Sequence, residues 1–301
     1  MMETNYHNPV LLKESVDGLE IKQDGVYVDV TFGGGGHSRE ILDRLGAKGK
    51  LIAFDQDEAA LANAIKDNRF TLINENFRYL RQFLKFYGIQ KVDGILADFG
   101  VSSHQFDDPE RGFSTRFDEA LDMRMSIRIH TSARDVLNSY SEADLKKVFW
   151  RYGELKRAGA MAKAVVASRE SGTLKTTEDL KRVLRKFMPR HKENKIMAQI
   201  FQAIRIEVNQ ELEAIKEFLL QTPHVVSQGG RISVISYHSL EDRLVKRFIR
   251  TGKFEGEVEK DFYGNPLAPF KRIGKLIQPS TDEIAKNNRA RSARLRIAER
   301  L

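Results

Sequence analysis

The sequence predicts an α/β fold, a doubly wound and mainly parallel sheet interrupted by an inserted all-α domain. Three observations carry this reading. The first hundred residues alternate short apolar runs with helical patterns. An acid and four glycines close the first of those runs. Residues 106–215 then hold no strand-like run, and one resumes only at 231–236.

Taken in order, residues 26–30 are short, apolar and β-branched, followed by the glycines and a helical pattern over 38–45. Residues 51–54 form a second buried-type strand that ends at Asp55. Residues 58–66 (EAALANAIK) are strong helix formers. Residues 70–73 read as a third strand, and 77–87 have helical spacing, with Phe77, Leu80, Phe83, Leu84 and Tyr87 on one side. Residues 92–97 make a fourth strand ending at Asp98. The following stretch is rich in Ala, Leu, Lys, Arg and Glu. It carries helix-start signals at Ser141 before EADL and at Thr176–Thr177 before EDL. Strand 231–236 (RISVIS) and a helix over 239–249 complete the pattern. The predicted division is therefore 1–105 with 216–301 as one discontinuous domain, and 106–215 as a helical substrate-recognition insert. Trp150 is assigned to the core of that insert.

Composition excludes several chemistries. With no cysteine among 301 residues, disulfides, thiolate zinc sites, iron–sulfur ligation and a cysteine nucleophile are ruled out. His7, His104, His130, His191 and His224 have no ligand spacing of the H-E-x-x-H kind, so no metal is expected. The first residues lack a basic start followed by an apolar run, and no apolar stretch approaches the roughly 20 residues that span a bilayer. A cytoplasmic protein with no membrane partner is the expectation.

The net charge is +8, and its distribution says more than its size. Residues 181–195 carry net +6, and residues 271–301 carry net +6. The rest of the chain is net acidic. Two basic clusters on a mildly acidic body suit a polyanion, although each alone is equally well a solvated helix face. The residues expected to meet phosphate are Lys181, Arg182, Arg185 and Lys186 in the first cluster. In the second they are Arg289, Arg291 and Arg294. Arg289, Arg291, Arg294 and Arg296 are read as alternating along a strand.

Residues 26–38 (VYVDVTFGGGGHS) are the most informative stretch. Glycine lets a ligand approach bare backbone at a strand-to-helix turn. Asp29, four residues before the glycines, is unhelpful to a pyrophosphate. It suits a ligand with an ammonium group, such as S-adenosylmethionine. Asp55, at the end of the second strand, lies where an acid accepts ribose hydroxyls in both cofactor classes. A tight turn with no ligand is the bland alternative for the glycines alone. Acids at the ends of strands one, two and four make that alternative less economical.

These residues resemble the bacterial 16S rRNA (cytosine-N(4))-methyltransferase family, class I S-adenosylmethionine-dependent enzymes with a Rossmann-like sheet. The resemblance runs through His7 with VLLKE (10–14), DVTFGGGGHS (29–38), DFGVSSHQFD (98–107), RGFS (111–114) and LDMRM (121–125). It continues through FQAIRIEVNQEL (201–212), GGRISVISYHSLEDRLVK (229–246) and RARSARLRIAER (289–300). It implies methylation of the exocyclic amine of one cytosine in the ribosomal decoding centre. It places the cofactor on Gly35, Gly36, His37, Asp55, Phe77, Asp98 and Gln105. Asp29 and Gly33 join them from the reading of the turn. Phe99, Tyr237 and Asn288 stand where the family more commonly has Leu, Phe and Pro, and Phe99 beside Asp98 is placed to reshape the pocket wall. The implied partner is 16S rRNA, within the small ribosomal subunit. A homodimer is compatible with the sequence, which carries no motif that sets oligomeric state.

The cytosine amine is a poor nucleophile because its lone pair is delocalised into the ring. An Asp or Asn followed by Pro-Pro-aromatic is a common answer, and here Asp98-Phe99-Gly100-Val101 stands instead. Asp98 is placed to bind cofactor, orient the amine, or do both. His238 after the fifth strand is either a base contact and proton acceptor or a structural histidine. Tyr237 is either a stacking residue for a flipped base or buried. Glu241, Asp242 and Arg243 could form a metal or catalytic cluster, but at a helix start the acids are expected to complement its dipole. Met123 and Met125 are expected to pack. The competing functions are methylation of another amine, on DNA or protein, and an RNA-binding assembly factor without turnover. The cofactor constellation disfavours the latter.

Overall fold

The computed structural model describes residues 9–115, 118–264 and 267–301, with side chains omitted at 103 and 104. His7 and the His104 side chain therefore lie outside the described residues. The chain divides into two compact units, one of residues up to Gly100 with Leu212–Leu301, the other Val101–Glu211.

The first unit begins with α1 (Leu12–Asp17), β1 (Val26–Asp29), α2 (Gly36–Arg44), β2 (Lys50–Phe54), β3 (Phe70–Ile73), α3 (Leu80–Phe86) and β4 (Val92–Asp98). The second holds α4 (Ser103–Asp107), α5 (Ala133–Ser139), α6 (Glu142–Arg151), α7 (Ala158–Ser168), α8 (Thr177–Leu184) and α9 (Glu193–Asn209). The chain returns through α10 (Glu211–Val225), β5 (Val226–Ser236), α11 (Ser239–Thr251), β6 (Phe270–Ile277), α12 (Thr281–Lys286) and β7 (Arg294–Arg300).

The seven strands form one sheet in the order β3-β2-β1-β4-β5-β7-β6. The first five in chain order pair in parallel, with Val28 opposite both Ile52 and Ile95 and with Asp98 opposite Ile235. β7 runs antiparallel between β5 and β6. The winding reverses between β1 and β4, so the crevice at their carboxyl ends is where an open sheet takes a ligand. Parallel strands are covered on both faces, which explains their near-continuous apolar runs. Leu51, Leu96 and Tyr27 are buried with Val16, Leu19, Ile41 and Leu42. Even the Tyr27 hydroxyl is satisfied, accepting the Lys22 N–H at 2.7 Å.

One helix differs from expectation. Residues Glu58–Asn63 form a 3₁₀ helix, and no α-helix extends to 66. Asp57 caps it by accepting the Ala59 N–H at 3.1 Å, and only Ala60 is buried. With so small an apolar face, high helix propensity has no core to recruit a longer helix.

The second unit is helical around its own core, in which Leu145, Phe149, Ile200, Ile204, Met123 and Met125 are buried. Packing is thus the observed role of both methionines. The helix-start signals hold. Ser141 caps α6, and Thr176 forms a capping box with Asp179 at the start of α8. Asn209 accepts the Met125 N–H and donates to the Met123 carbonyl, both at 2.7 Å, pinning the LDMRM segment to the end of α9. Trp150, assigned to this core by residue type, is 65% exposed. Leu145, Val148 and Phe149 make the buried stripe of α6, and position 150 falls off it.

Candidate active site

The carboxyl ends of β1, β2 and β4 hold Asp29, Asp55 and Asp98, each in a different local role. Asp29 is fully buried. Its Oδ1 accepts the Thr31 N–H at 3.1 Å, and its Oδ2 accepts the Ser38 hydroxyl at 2.7 Å. Burial pushes its pKa up to about 6, against those two bonds. This corrects the expectation that Asp29 meets an ammonium group, because its carboxylate is enclosed and bound to its own loop. It braces the glycine turn against the start of α2.

Thr31 completes that brace and has no place in the sequence-based site. Its hydroxyl accepts the Asp98 N–H at 2.7 Å and lies 3.5 Å from Asp29 Oδ1. One β-branched residue thereby joins the ends of β1 and β4. The D-x-T spacing, in which an Asp side chain caps the backbone two residues on, is the signal that could have found it.

Gly33 and Gly35 take positive φ, 51° and 76°. At Gly35 an added Cβ would stand 2.8 Å from the Phe32 ring, while at Gly33 it would meet nothing within 4 Å. Gly33 thus presents bare backbone to open space. Its N–H is fixed by Asp55, whose Oδ2 accepts it at 2.7 Å. Asp55 Oδ1 accepts the Asp57 N–H at 2.9 Å, and burial raises the acid to about 6. Gly36 opens α2.

His37 follows Gly36 and is buried. Burial lowers its pKa to about 4, so the ring is neutral at physiological pH. Nε2 lies 3.2 Å from the Val10 carbonyl and carries the proton it donates there. Nδ1, left with its lone pair, lies 4.0 Å from Asp98 Oδ2.

Asp98 is the most perturbed of the three acids. Its side chain keeps one-fifth of its exposure, yet burial pushes its pKa up to about 7, with Asp29 and Glu241 adding to the rise. The Tyr237 hydroxyl donates to its Oδ1 at 2.9 Å and opposes that rise. Tyr237 is thereby committed to Asp98 through its hydroxyl; of its two readings, a stacking ring or a buried one, it is half-buried and held as a hydrogen-bonded phenol. Beside Asp98, Phe99 is buried and forms a triad with Phe77 and Phe218, with centroids 5.5 to 6.1 Å apart. Phe77 is the half-exposed member.

His238 is the N-cap of α11. Its Nδ1 faces the Glu241 N–H at 3.4 Å, and Glu241 Oε2 accepts the Tyr237 and His238 N–H groups at 2.8 and 3.2 Å. Of the two readings of His238, this geometry supports the structural one. Asp242 is also occupied, with Arg296 at 2.8 Å and Arg294 at 3.1 Å. The structure thus gathers Asp29, Gly33, Gly35, Gly36, His37, Asp55 and Asp98 around one strand edge. Gln105 belongs to the second unit, where its side-chain oxygen accepts the Ser102 N–H at 3.1 Å.

The basic residues divide similarly. Arg289 and Arg291 lie in a 3₁₀ turn over Asn288–Ser292, so the strand alternation expected for them is corrected; only Arg294 and Arg296 are in β7. Both residues of the turn are exposed. Arg294 pairs with Asp242 and keeps 42% of its side-chain exposure. Lys181 pairs with Glu178, Arg182 with Asp179, and Arg185 and Lys186 are exposed.

The MraW methylase family model matches residues 4–301. The ribosomal RNA small subunit methyltransferase H of Christiangramia forsetii is 64% identical over 301 residues, covering all of both chains. The protein of the same name from Flavobacterium johnsoniae is 66% identical over 296 residues, covering 98% of each. A crystal structure of an rRNA methylase from Streptococcus thermophilus covers 98% of this chain and 99% of its own at 12% identity, with a TM-score of 0.44. With a family model spanning nearly its whole length and relatives at this identity, the chain belongs to the MraW methylase family.

Proposed function

We propose that the protein methylates 16S ribosomal RNA, moving a methyl group from S-adenosylmethionine to the exocyclic amine of a cytosine in the decoding centre. The observation that carries this reading is the cradle at the end of β1. There Gly33 offers bare backbone to open space, and Asp55 stands beside it on the end of β2. An adenosyl donor fits that arrangement, with Asp55 accepting ribose hydroxyls and the glycine backbone leaving room for close approach. When bound, S-adenosylmethionine supplies an already activated methyl, which leaves the protein mainly positioning and water exclusion to perform.

The residues divide that work. Asp29, Ser38 and Thr31 hold the turn rigid. Tyr237 fixes the carboxyl of Asp98 by its bond to Oδ1. As an anion, Asp98 accepts an N–H of the cytosine amine, draws density toward the nitrogen, and takes the proton that the nitrogen sheds on methylation. A group with pKa near 7 suits an acceptor that must also release that proton. Phe77, Phe99 and Phe218 wall the site with apolar surface. The helical unit, with Arg185 and Lys186, recognises the RNA. Its substrate is the 16S RNA, in the cytoplasm. Among the described residues no helix is long and apolar enough to cross a membrane.

The experiment is mass mapping of small-subunit RNA after incubation with the protein and isotopically labelled donor, alongside calorimetry of donor binding. One labelled cytosine is the expected result. Labelled protein or DNA with unlabelled RNA would overturn the substrate, and absence of donor uptake would overturn the whole reading.

A further inference from the structure

Trp150 is the single tryptophan of the chain, and it lies in water at the last turn of α6 while Leu145, Val148 and Phe149 fill the core of the helical unit. Its surroundings are basic. Between residues 146 and 163, Lys146, Lys147, Arg151, Lys156, Arg157 and Lys163 are all exposed. Glu154 is the one acid, so the segment carries net +5. Charge clusters read along the sequence at 181–195 and 271–301 leave this one out.

Lys146 and Lys147 stand one turn before Trp150, so helical spacing puts them on its face. The stem of Lys146 lies 3.7 Å from where a Cβ on Gly159 would be, reaching across to α7. Lys147 pairs with Asp144 at 2.9 Å, an exposed contact that a phosphate can displace. Arg157 lies over the Phe187 ring at 5.0 Å, and Lys186 lies over the same ring at 5.4 Å. Phe187 thus brings Arg157, seven residues after Trp150, together with Lys186 of the 181–195 cluster.

The geometry points to a single-stranded RNA contact on α6, in which an unpaired base stacks on Trp150 and the flanking phosphates pair with Lys146, Lys147 and Arg151. This rests on the reading of RNA as the substrate and adds a recognition site to it. An exposed indole with two lysines one turn before it on the same helix face has the composition of a stacking platform for nucleic acid. Protein interfaces, by contrast, are depleted of lysine at their core.

The single tryptophan makes the test direct. The full-length protein is titrated with an unstructured twelve-nucleotide RNA, following indole emission and, separately, the anisotropy of a label on the RNA. Quenching should track the anisotropy curve, and both should weaken as salt rises. Trp150→Ala should lower affinity by roughly 5- to 150-fold, Trp150→Phe should retain most of it, and donor binding by calorimetry should be unchanged in both. RNA binding with unmoved emission and wild-type affinity in Trp150→Ala would overturn this site and leave the methyltransferase reading intact. Loss of self-association in Trp150→Ala with RNA affinity unchanged would overturn it in favour of a second copy of the chain. Failure of the wild-type protein to bind this RNA at any salt would also overturn this site, whereas the methyltransferase reading stands or falls on the mass mapping and donor calorimetry.

Discussion

The Tyr237 hydroxyl donates to Asp98 Oδ1 at 2.9 Å, joining the residue after β5 to the last residue of β4. Burial, Asp29 and Glu241 all raise the Asp98 pKa, and this phenol opposes them. Tyr237→Phe therefore moves the Asp98 pKa higher still. The acid limb of the single-turnover methylation rate should shift to higher pH, with a several-fold loss at pH 7 and recovery in alkali. An unshifted limb would show that ionisation of Asp98 does not govern the rate.

The same acid makes stability depend on pH. Its pKa in the folded protein is raised from 3.8 to about 7. The native state thus holds the proton more tightly than the unfolded chain. The contribution is fully present below about pH 3.8 and is lost as pH rises through about 7. Asp98→Asn should remove this slope, so denaturant unfolding at pH 5 and pH 8 should favour the variant more at pH 8. His37, lowered to about 4, runs the other way: its stability is lost as pH falls from 6.5 toward 4.

Thr31→Val deletes the acceptor of the Asp98 N–H while keeping the side-chain shape. A buried donor left without a partner costs about 1–3 kcal/mol, measurable as a lower denaturant midpoint with unchanged slope. Thr31→Ser keeps the hydroxyl and should recover most of the loss.

Gly33→Ala separates backbone strain from ligand space. The positive φ costs about 1–2 kcal/mol for a non-glycine residue, and the methyl meets no protein atom. Calorimetry should show at least a tenfold loss of S-adenosylmethionine affinity with the fold retained. Unchanged affinity would place the donor away from this turn.

Two nearby arginines should behave as opposites. Arg296→Ala removes the bidentate partner of Asp242 while Arg294 remains, and should destabilise by about 1.5–3 kcal/mol, the worth of hydrogen bonds to a charged group. Arg291, exposed in its turn, should leave stability unchanged when replaced by Ala. That substitution should instead reduce the salt dependence of RNA binding by about one counterion.

The parallel strands and their terminal acids were legible because period, apolar run and glycine placement are local properties. The partner of each acid was not. Spacing locates Asp29 at the end of β1 but does not say whether its oxygens face a ligand or Ser38, nine residues on. The pairing of Arg296 with Asp242 crosses 54 positions, and no local rule reaches that far. At Trp150 residue type and periodicity point opposite ways: Leu145, Val148 and Phe149 mark the inward stripe, and position 150 falls off it. Residues 58–66 have high helix propensity, but only Ala60 among them is buried, so no buried stripe extends the 3₁₀ turn into a full helix.

The place of β7 between β5 and β6 sets an order on how this sheet can be assembled. β6 emerges first in the chain, yet its sheet neighbour is β7, which follows it. β6 reaches the sheet only through β7, so the two enter it as one antiparallel pair, and the edge of β5 is covered by the last residues of the chain.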